Sequence, residues 1–507
     1  MRRVVVVGAG NAGLCAAIAA AEEGARVTVL EAAPVAFAGG NSAFTAGLMR
    51  VAFDDADDIA ALVTELSTDE RATTDFGSYP TDRFLADLAR VTEYRCDPDL
   101  AEVLVGQSHA TLAWMRDHGI RFAPAYGRQA FRHDGHFRFW GGAVIEVVGG
   151  GPGLVQGLTR EATRLGVEIV YDAPASALLH DDDSSVGNVS DVRGVRGVRG
   201  VRALVDGRVT SIDADAIVLA AGGFEANAAW RARYLGPGWD LAKVRGTRFN
   251  TGEGIRMALD AGASAAGHWS GCHAVAWDLN APEFGDLAVG DGFQKHSYPV
   301  GIVVNASGDR FLDEGADFRN YTYAKYGREI LAQPSRVAWQ VFDAQVRHLL
   351  RDEYRIRQVT KVVAPTLEEL AAGMDGVDAA RFLRTVADFN AAVQTNVPFD
   401  PNRLDGRGTT GMSPPKTNWA NPLTEPPFEA YAVTCGITFT FGGVRIDTTA
   451  RVLDVGGRPI TGLYSCGEMA AGIFFFNYPG GSGLTAGAVF GRLAGTAAAS
   501  ETAILRQ

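Results

Sequence analysis

Cysteine is scarce in this chain of 507 residues: there are five, Cys15, Cys96, Cys272, Cys435 and Cys466. None stands in a CxxC pair or at metal-ligand spacing. That pattern argues against an iron–sulfur cluster or other metal centre within the chain, and reads as reduced thiols in a cytoplasmic compartment. A surplus of positive charge is also missing, since 47 Lys and Arg against 59 Asp and Glu give a formal net charge of -12. With no basic cluster either, a nucleic-acid partner is excluded, although a few local cations suffice to bind an acidic small molecule. No run of about 20 apolar residues exists, so no membrane-spanning helix is expected. Arg2-Arg3 leads straight into an apolar strand, with no cleavable apolar segment before it. What remains, 47% hydrophobic and 21% charged residues, is ordinary globular composition, and the length allows two or three domains with an ample core.

The first thirty-one residues carry the strongest signal. Arg3-Val4-Val5-Val6-Val7 reads as a strand, Gly8-Ala9-Gly10-Asn11-Ala12-Gly13 as a glycine turn, the Ala-rich stretch after it as a helix, and Arg26 to Leu30 as a second strand ending at Glu31. This is the pattern of a dinucleotide-binding βαβ unit. Gly8 turns the chain sharply, Gly10 lets backbone N–H groups approach a pyrophosphate at the helix N-terminus, and Gly13 lets helix and strand pack closely. Glu31 is placed to accept hydrogen bonds from a ribose, and an acid there disfavours a 2′-phosphate. FAD or NAD remain.

Residues 54 to 125 carry charged helical patterns, an inserted helical region. The run Gly149-Gly150-Gly151-Pro152-Gly153 reads as irregular, with a helix from Leu154 to Leu165 after it. Strands near Val167 to Tyr171 and Asp215 to Ala220, and the variable stretch between them, read as one sheet. The Val-Arg-Gly repeat from Val192 to Arg202 reads as an expanded hairpin or loop. From about His268 the composition shifts towards aromatics and proline clusters, with a helix pair around Thr366 to Val393 that starts at a capping-box spacing, Thr366 to Glu369. After Ala432 short strands return, then a final helix near Gly483. The expected fold class is α/β: a Rossmann-like nucleotide domain built from both chain ends, 1–267 and 432–507, with an inserted α+β capping domain, 268–431. The active site should lie between them.

A second glycine block runs Gly467-Glu468, then Tyr478-Pro479-Gly480-Gly481-Ser482-Gly483-Leu484 into a helix. A helix N-terminus there offers unpaired N–H groups and a positive dipole end, suited to the flavin edge that gains negative charge on reduction. Gly39-Gly40-Asn41-Ser42 and Ala220-Ala221-Gly222-Gly223 supply further glycine-lined contacts for an extended FAD.

On these blocks, together with Asn250-Thr251-Gly252-Glu253-Gly254, Gly308 to Glu314 and Phe441 to Asp447, the chain resembles the flavoproteins of the fumarate reductase and succinate dehydrogenase family over nearly its whole length. Asp313 to Tyr321 and Phe476 to Gly483 look most like the tricarballylate dehydrogenases. The resemblance implies the glutathione-reductase-type two-part FAD domain, with FAD contacts at Ala12, Glu31, Asn41, Ser42, Gly47, Ala175, Ala221, Glu253, Glu468, Ser482, Gly483 and Leu484. These join Gly8, Gly10, Asn11, Gly13 and Gly222 from the glycine turns. The family's N-terminal-region histidine is missing, the first histidine being His109, so the FAD is expected to be non-covalent.

The resemblance further implies oxidation of a CH–CH bond beside an electron-withdrawing group, or its reverse: hydride to flavin N5 and a proton to Arg319, which follows the Arg-Phe-x-Asx-Glu motif with one extra residue. His273 aligns with a carboxylate-binding histidine. Two cations that hold the dicarboxylate in fumarate reductases are replaced here by Phe439 and Tyr478, which makes fumarate an unlikely substrate. Phe441, Phe474, Phe475 and Phe476 add to an aromatic wall. A ketosteroid-dehydrogenase-type desaturase is the alternative, with Tyr298, Tyr321, Tyr323 and Tyr478 available for acid–base work. Arg319 and Tyr478 are thus the catalytic candidates, and His273, Phe439 and Tyr321 the substrate-facing ones. A third alternative is a flavin-bound interaction subunit without turnover. The partners expected are a small organic acid and a separate electron acceptor or O2, with no metal.

Overall fold

The computed structural model describes residues 1–133, 135–180 and 197–500. The first part of the Val-Arg-Gly repeat, 192–196, lies outside the described residues; the rest runs into the strand Val198–Val205. The valine run Arg3–Val7 forms the middle of a six-stranded sheet, because Val4 to Val7 are apolar on both faces and are buried on both. It pairs in parallel with Arg26–Leu30 on one side and Ala216–Leu219 on the other. Glu168–Val170 and Pro459–Ser465 extend the sheet in parallel, and Arg451–Leu453 closes one edge antiparallel. Both ends of the chain therefore build one nucleotide layer.

The first helix, Asn11–Glu22, and the last, Ser482–Ser500, cross at close range. Glycines four residues apart on the last helix allow it: a Cβ at Gly491 would sit 2.4 Å from the Ala12 carbonyl oxygen, and one at Gly495 2.1 Å from that of Ala16. The glycine run at 149–153 differs from expectation. The helix begins inside it, at Gly150, and extends to Arg164. Gly151 is why, since its missing side chain lets the helix end pack against the 42–45 turn, where a Cβ would meet the Ser42 carbonyl oxygen at 2.1 Å. The stretch between the two later strands is also not part of the parallel sheet: Ala175–His180, Val198–Val205 and Arg208–Asp213 form an antiparallel sheet of their own. The inserted region is helical as read, with Ala56–Leu62, Thr68–Ala72, Thr81–Val91 and Pro98–Asp117.

The cap is a second sheet. Ile302–Asn305 pairs with Ala338–Phe342, which in turn pairs with the 17-residue strand Phe428–Val444; that strand also pairs antiparallel with the 14-residue strand Ala265–Asp278. Helices Leu367–Gly373 and Ala379–Ala392 cover it, burying Leu370, Phe382 and Phe389 against Val304, Trp339 and Val341. The first of them is capped as expected, with Thr366 Oγ1 accepting from the Glu369 N–H at 3.1 Å. The two long strands connect cap and nucleotide layer, so the boundaries expected at 267/268 and 431/432 fall inside paired strands. Paired strands make a stiffer junction than loops.

Candidate active site

A cavity of 470 Å³ runs from the glycine turn after the first strand to the underside of the cap. Its nucleotide end is made of backbone. Gly8 has φ +107°, and a Cβ there would lie 2.4 Å from the Ala220 carbonyl oxygen. At Gly13 it would lie 2.0 Å from the Gly8 carbonyl oxygen. Glu31 is fixed beside this turn, accepting the N–H of Ala9 on Oε2 and of Ala33 on Oε1, each at 2.8 Å. Burial raises its proton affinity while those backbone bonds oppose the rise.

Gly8, Gly10, Asn11, Ala12, Glu31, Asn41, Ser42, Ala175, Ala221, Gly222, Glu253, Glu468, Gly483 and Leu484 all line the cavity. Gly13, Gly47 and Ser482 are not among the lining residues. Gly13 and Gly47 instead serve close packing, the latter against Gly150. Several lining residues also tie the layers together. Asn11 Nδ2 donates to the Leu484 carbonyl at 2.8 Å, and Asn41 Nδ2 donates to Glu225 Oε1 and the Thr438 carbonyl, each at 2.6 Å. Glu468 accepts from Thr440 N–H and Oγ1 at 2.7 and 3.0 Å. Beside it stands fully buried Glu225, whose carboxyl burial and the neighbouring Glu468 push well up. An elongated space with a glycine-turn cradle, a pinned carboxylate and two helix N-termini fits an extended FAD.

The cap end is made of side chains. Arg319 lies at the entry to a short buried turn, Arg319–Tyr321. Its Nη1 is 3.1 Å from His296 Nδ1, and its Nη2 donates to the Arg128 carbonyl oxygen. Arg128 Nη1 donates to Asp291 Oδ2 at 2.9 Å, while Arg245 Nε donates to Asp291 Oδ1 at 2.9 Å and Arg245 Nη1 to Thr438 Oγ1 at 3.2 Å. Burial lowers the Arg319 guanidinium from its ordinary range, with nearby Glu353 pulling the other way. Burial, and then the surrounding arginines led by Arg319, drive His296 well below the usual imidazole range, so it is neutral.

His273 is 1% exposed, and neither ring nitrogen has a hydrogen-bond partner among the described residues. Burial and then Arg245 hold it neutral. Its ring sits among Tyr323, Tyr478 and Phe439, with centroids at 5.0, 4.8 and 5.2 Å. The Tyr323 and Tyr478 hydroxyls touch, and burial pushes both phenols up.

Arg319, Tyr478, His273 and Phe439 thus meet in one cavity, with Phe441 and Phe474 in the same wall. Tyr321 does not join them. Its hydroxyl donates to Asp87 Oδ2 at 2.6 Å and its ring lies under the buried Arg50 guanidinium, because Arg50 and Asp87 form a polar cluster on the other side of the segment. Phe475 and Phe476 also turn away, packing on His268. The sequence reading missed Arg128, Arg245, Asp291 and His296. The signal for Arg245 was a cation directly before Gly246, shortly ahead of the Asn250-Thr251-Gly252 turn, though Lys243 and Arg248 stand close by; the other three have no local motif.

A family model described as FAD binding domain matches residues 3–484. The chain is 30% identical over 504 residues to a fumarate reductase (cytochrome) of Shewanella frigidimarina, covering 98% of this chain and 76% of that protein. It is 28% identical over 562 residues to a 4-oxocyclohexanecarboxylate 2-dehydrogenase of Sinomonas cyclohexanicum, covering 99% and 93%. The open conformation of a flavocytochrome c3 fumarate reductase superposes with a TM-score of 0.69 at 27% identity, over 98% of this chain and 78% of that one.

Proposed function

The chain belongs to the FAD-binding flavoprotein family that includes the fumarate reductases, and on that premise we propose that it desaturates a CH–CH bond beside a carboxylate or carbonyl, the reaction type of the tricarballylate dehydrogenases it resembles. Bound FAD supplies the two-electron acceptor: one hydrogen leaves the substrate with both electrons as hydride, the other as a proton. The chain's own groups must place the substrate and take that proton.

The observation that carries this reading is the Arg319–His296 contact at 3.1 Å on the wall of the same cavity as the glycine cradle. A guanidinium alone is a poor base. Here burial lowers the proton affinity of Arg319, which brings the neutral guanidine that can take the proton within reach, and neutral His296 holds it in place by accepting from Nη1 at Nδ1. A second reading, a ketone-activated desaturase, is favoured by the touching Tyr323 and Tyr478 hydroxyls. Both phenols stay protonated, so one hydroxyl donates to the other and leaves the second as a hydrogen-bond donor to a carbonyl oxygen.

The test is anaerobic mixing with saturated acids and ketones while the flavin absorbance is followed. Bleaching by one class identifies it as reductant; no bleaching by any candidate would favour a flavin-bound protein without turnover. The FAD is held non-covalently in this reading, so acid precipitation should release it. Flavin left in the pellet would overturn that part. Electrons then pass to a separate acceptor or to O2.

A further inference from the structure

The two sides of the substrate space differ in charge. On one side three guanidiniums, Arg128, Arg245 and Arg319, face a single lining carboxylate, Asp291, with Glu146 set behind Arg128 at 3.9 Å and the charges of buried Glu353 and of Arg351 opposing each other behind Arg319. Asp291 already spans Arg245 and Arg128, so Arg319 has no carboxylate partner among the described residues. That side is electropositive, and a carboxylate is the ligand it fits.

The other side holds no available charge. His273 and Tyr478 are buried and Tyr323 is half-buried, all three are polar and neutral, and Phe439 closes the wall. The nearest cation, Arg245, is committed to Asp291 and Thr438. Both His273 nitrogens are without a partner among the described residues, a cost that buried polar groups rarely bear unless a ligand satisfies them. A second carboxylate would enter here against desolvation with no cation to meet it, whereas a keto or hydroxyl oxygen could accept or donate at neutral imidazole and phenol groups. Tyr323 stands between the two sides, its ring centroid 5.0 Å from that of His273 and 4.8 Å from that of His296. The two ends of the ligand are therefore about one aromatic ring apart.

We infer that the substrate is a compact monocarboxylate carrying an uncharged keto or hydroxyl oxygen at its far end, with the acid towards Arg128 and Arg319 and the oxygen at His273. This deepens the desaturase reading and rests on it. It excludes succinate, tricarballylate and neutral ketones as preferred ligands.

The experiment titrates FAD-loaded protein, following the flavin spectrum, with 3- and 4-oxocyclohexanecarboxylate, cyclohexanecarboxylate, cyclohexanone, succinate and tricarballylate. At least one keto acid should bind tenfold or more tighter than either truncated ligand and than both polycarboxylates. His273→Phe should lose about tenfold for the keto acid and less than twofold for cyclohexanecarboxylate. Should His273→Phe fail to hold FAD, the ligand series on the unaltered protein decides alone. Equal or tighter binding of succinate or tricarballylate overturns the inference, and so does a keto group whose removal costs nothing. Tight keto-acid binding with no bleaching by any acid would support the ligand class while removing the dehydrogenase reading, so the two failures are distinguishable.

Discussion

The two ends of the one cavity are built by different means. At the nucleotide end the ligand-facing atoms come largely from backbone in a few contiguous turns: Gly8 to Ala12, Gly40 to Ser42, Ala220 to Gly222, and Gly480, Gly481, Gly483 and Leu484. At the cap end they are side chains drawn from Arg128, Arg245, His273, Asp291, His296, Arg319 and Tyr478, brought together from helix, strand and turn. A backbone cradle depends on which residues are absent, because any Cβ fills it. A side-chain network depends on which charges sit beside which. The first kind should fail by losing the cofactor, the second by losing the reaction with the cofactor still in place.

The sharpest break of that contrast is Gly8→Ala. With φ +107° and a Cβ placed 2.4 Å from the Ala220 carbonyl oxygen, the variant combines a strained backbone with a backbone overlap. FAD retention should fall by about 3 kcal/mol or more, the upper range for such a position. The flavin-to-protein absorbance ratio after gel filtration measures it, and an unchanged ratio would refute the cradle.

Arg319→Ala and Arg319→Lys test the opposite end. Flavin reduction at saturating substrate should slow by roughly 100-fold or more, the scale of a lost positioned acid–base group, while FAD content stays normal. A near-normal reduction rate with a raised KM would make Arg319 a carboxylate clamp only and move the proton to Tyr478.

Glu31→Ala sharpens the nucleotide side. It removes the one charged side chain pinned beside the glycine turn, and should weaken FAD binding by about 1.5–3 kcal/mol without altering the reduction rate of the flavin that remains. Equilibrium dialysis of FAD reads the change.

The smallest effect is in stability against pH. His273 and His296 have folded-state proton affinities depressed below the ordinary value of 6.5. The unfolded chain therefore binds protons that the folded chain does not, and stability present above pH 6.5 is lost as pH falls towards the folded values. Each histidine contributes a slope of up to about 1.4 kcal/mol per pH unit in that window. Denaturant midpoints between pH 7.5 and 5.5 should fall, and His296→Gln should flatten the fall. An identical slope in that variant would show that His296 takes up its proton as readily in the fold as in the unfolded chain.

The nucleotide layer was legible because its requirements are local. Val4 to Val7 have to be apolar for a strand covered on both faces, Gly8 and Gly13 have to lack a side chain, and Glu31 has to follow the second strand directly. The glycine run at 149–153 misled because glycine was read as freedom; its role is to let the Gly150–Arg164 helix approach the 42–45 turn. Tyr321 misled for a related reason. Three residues beyond Phe318 on the same turn as Arg319, it faces the opposite side, where Asp87 and Arg50 hold it.

By itself, then, the sequence determined the nucleotide unit and its glycine cradle, the two-part layout with an inserted cap, and Arg319, His273 and Tyr478 as candidates, since each follows from residues adjacent in the chain or from a motif. Only the tertiary structure decided which charges meet. His296 beside Arg319, Asp291 between Arg128 and Arg245, and His273 without a partner arise where Ala265–Asp278, the 290–296 turn and the 319–323 segment converge. A buried charge takes its meaning from neighbours a few ångströms away in space, and those neighbours lie tens to hundreds of residues away along the chain.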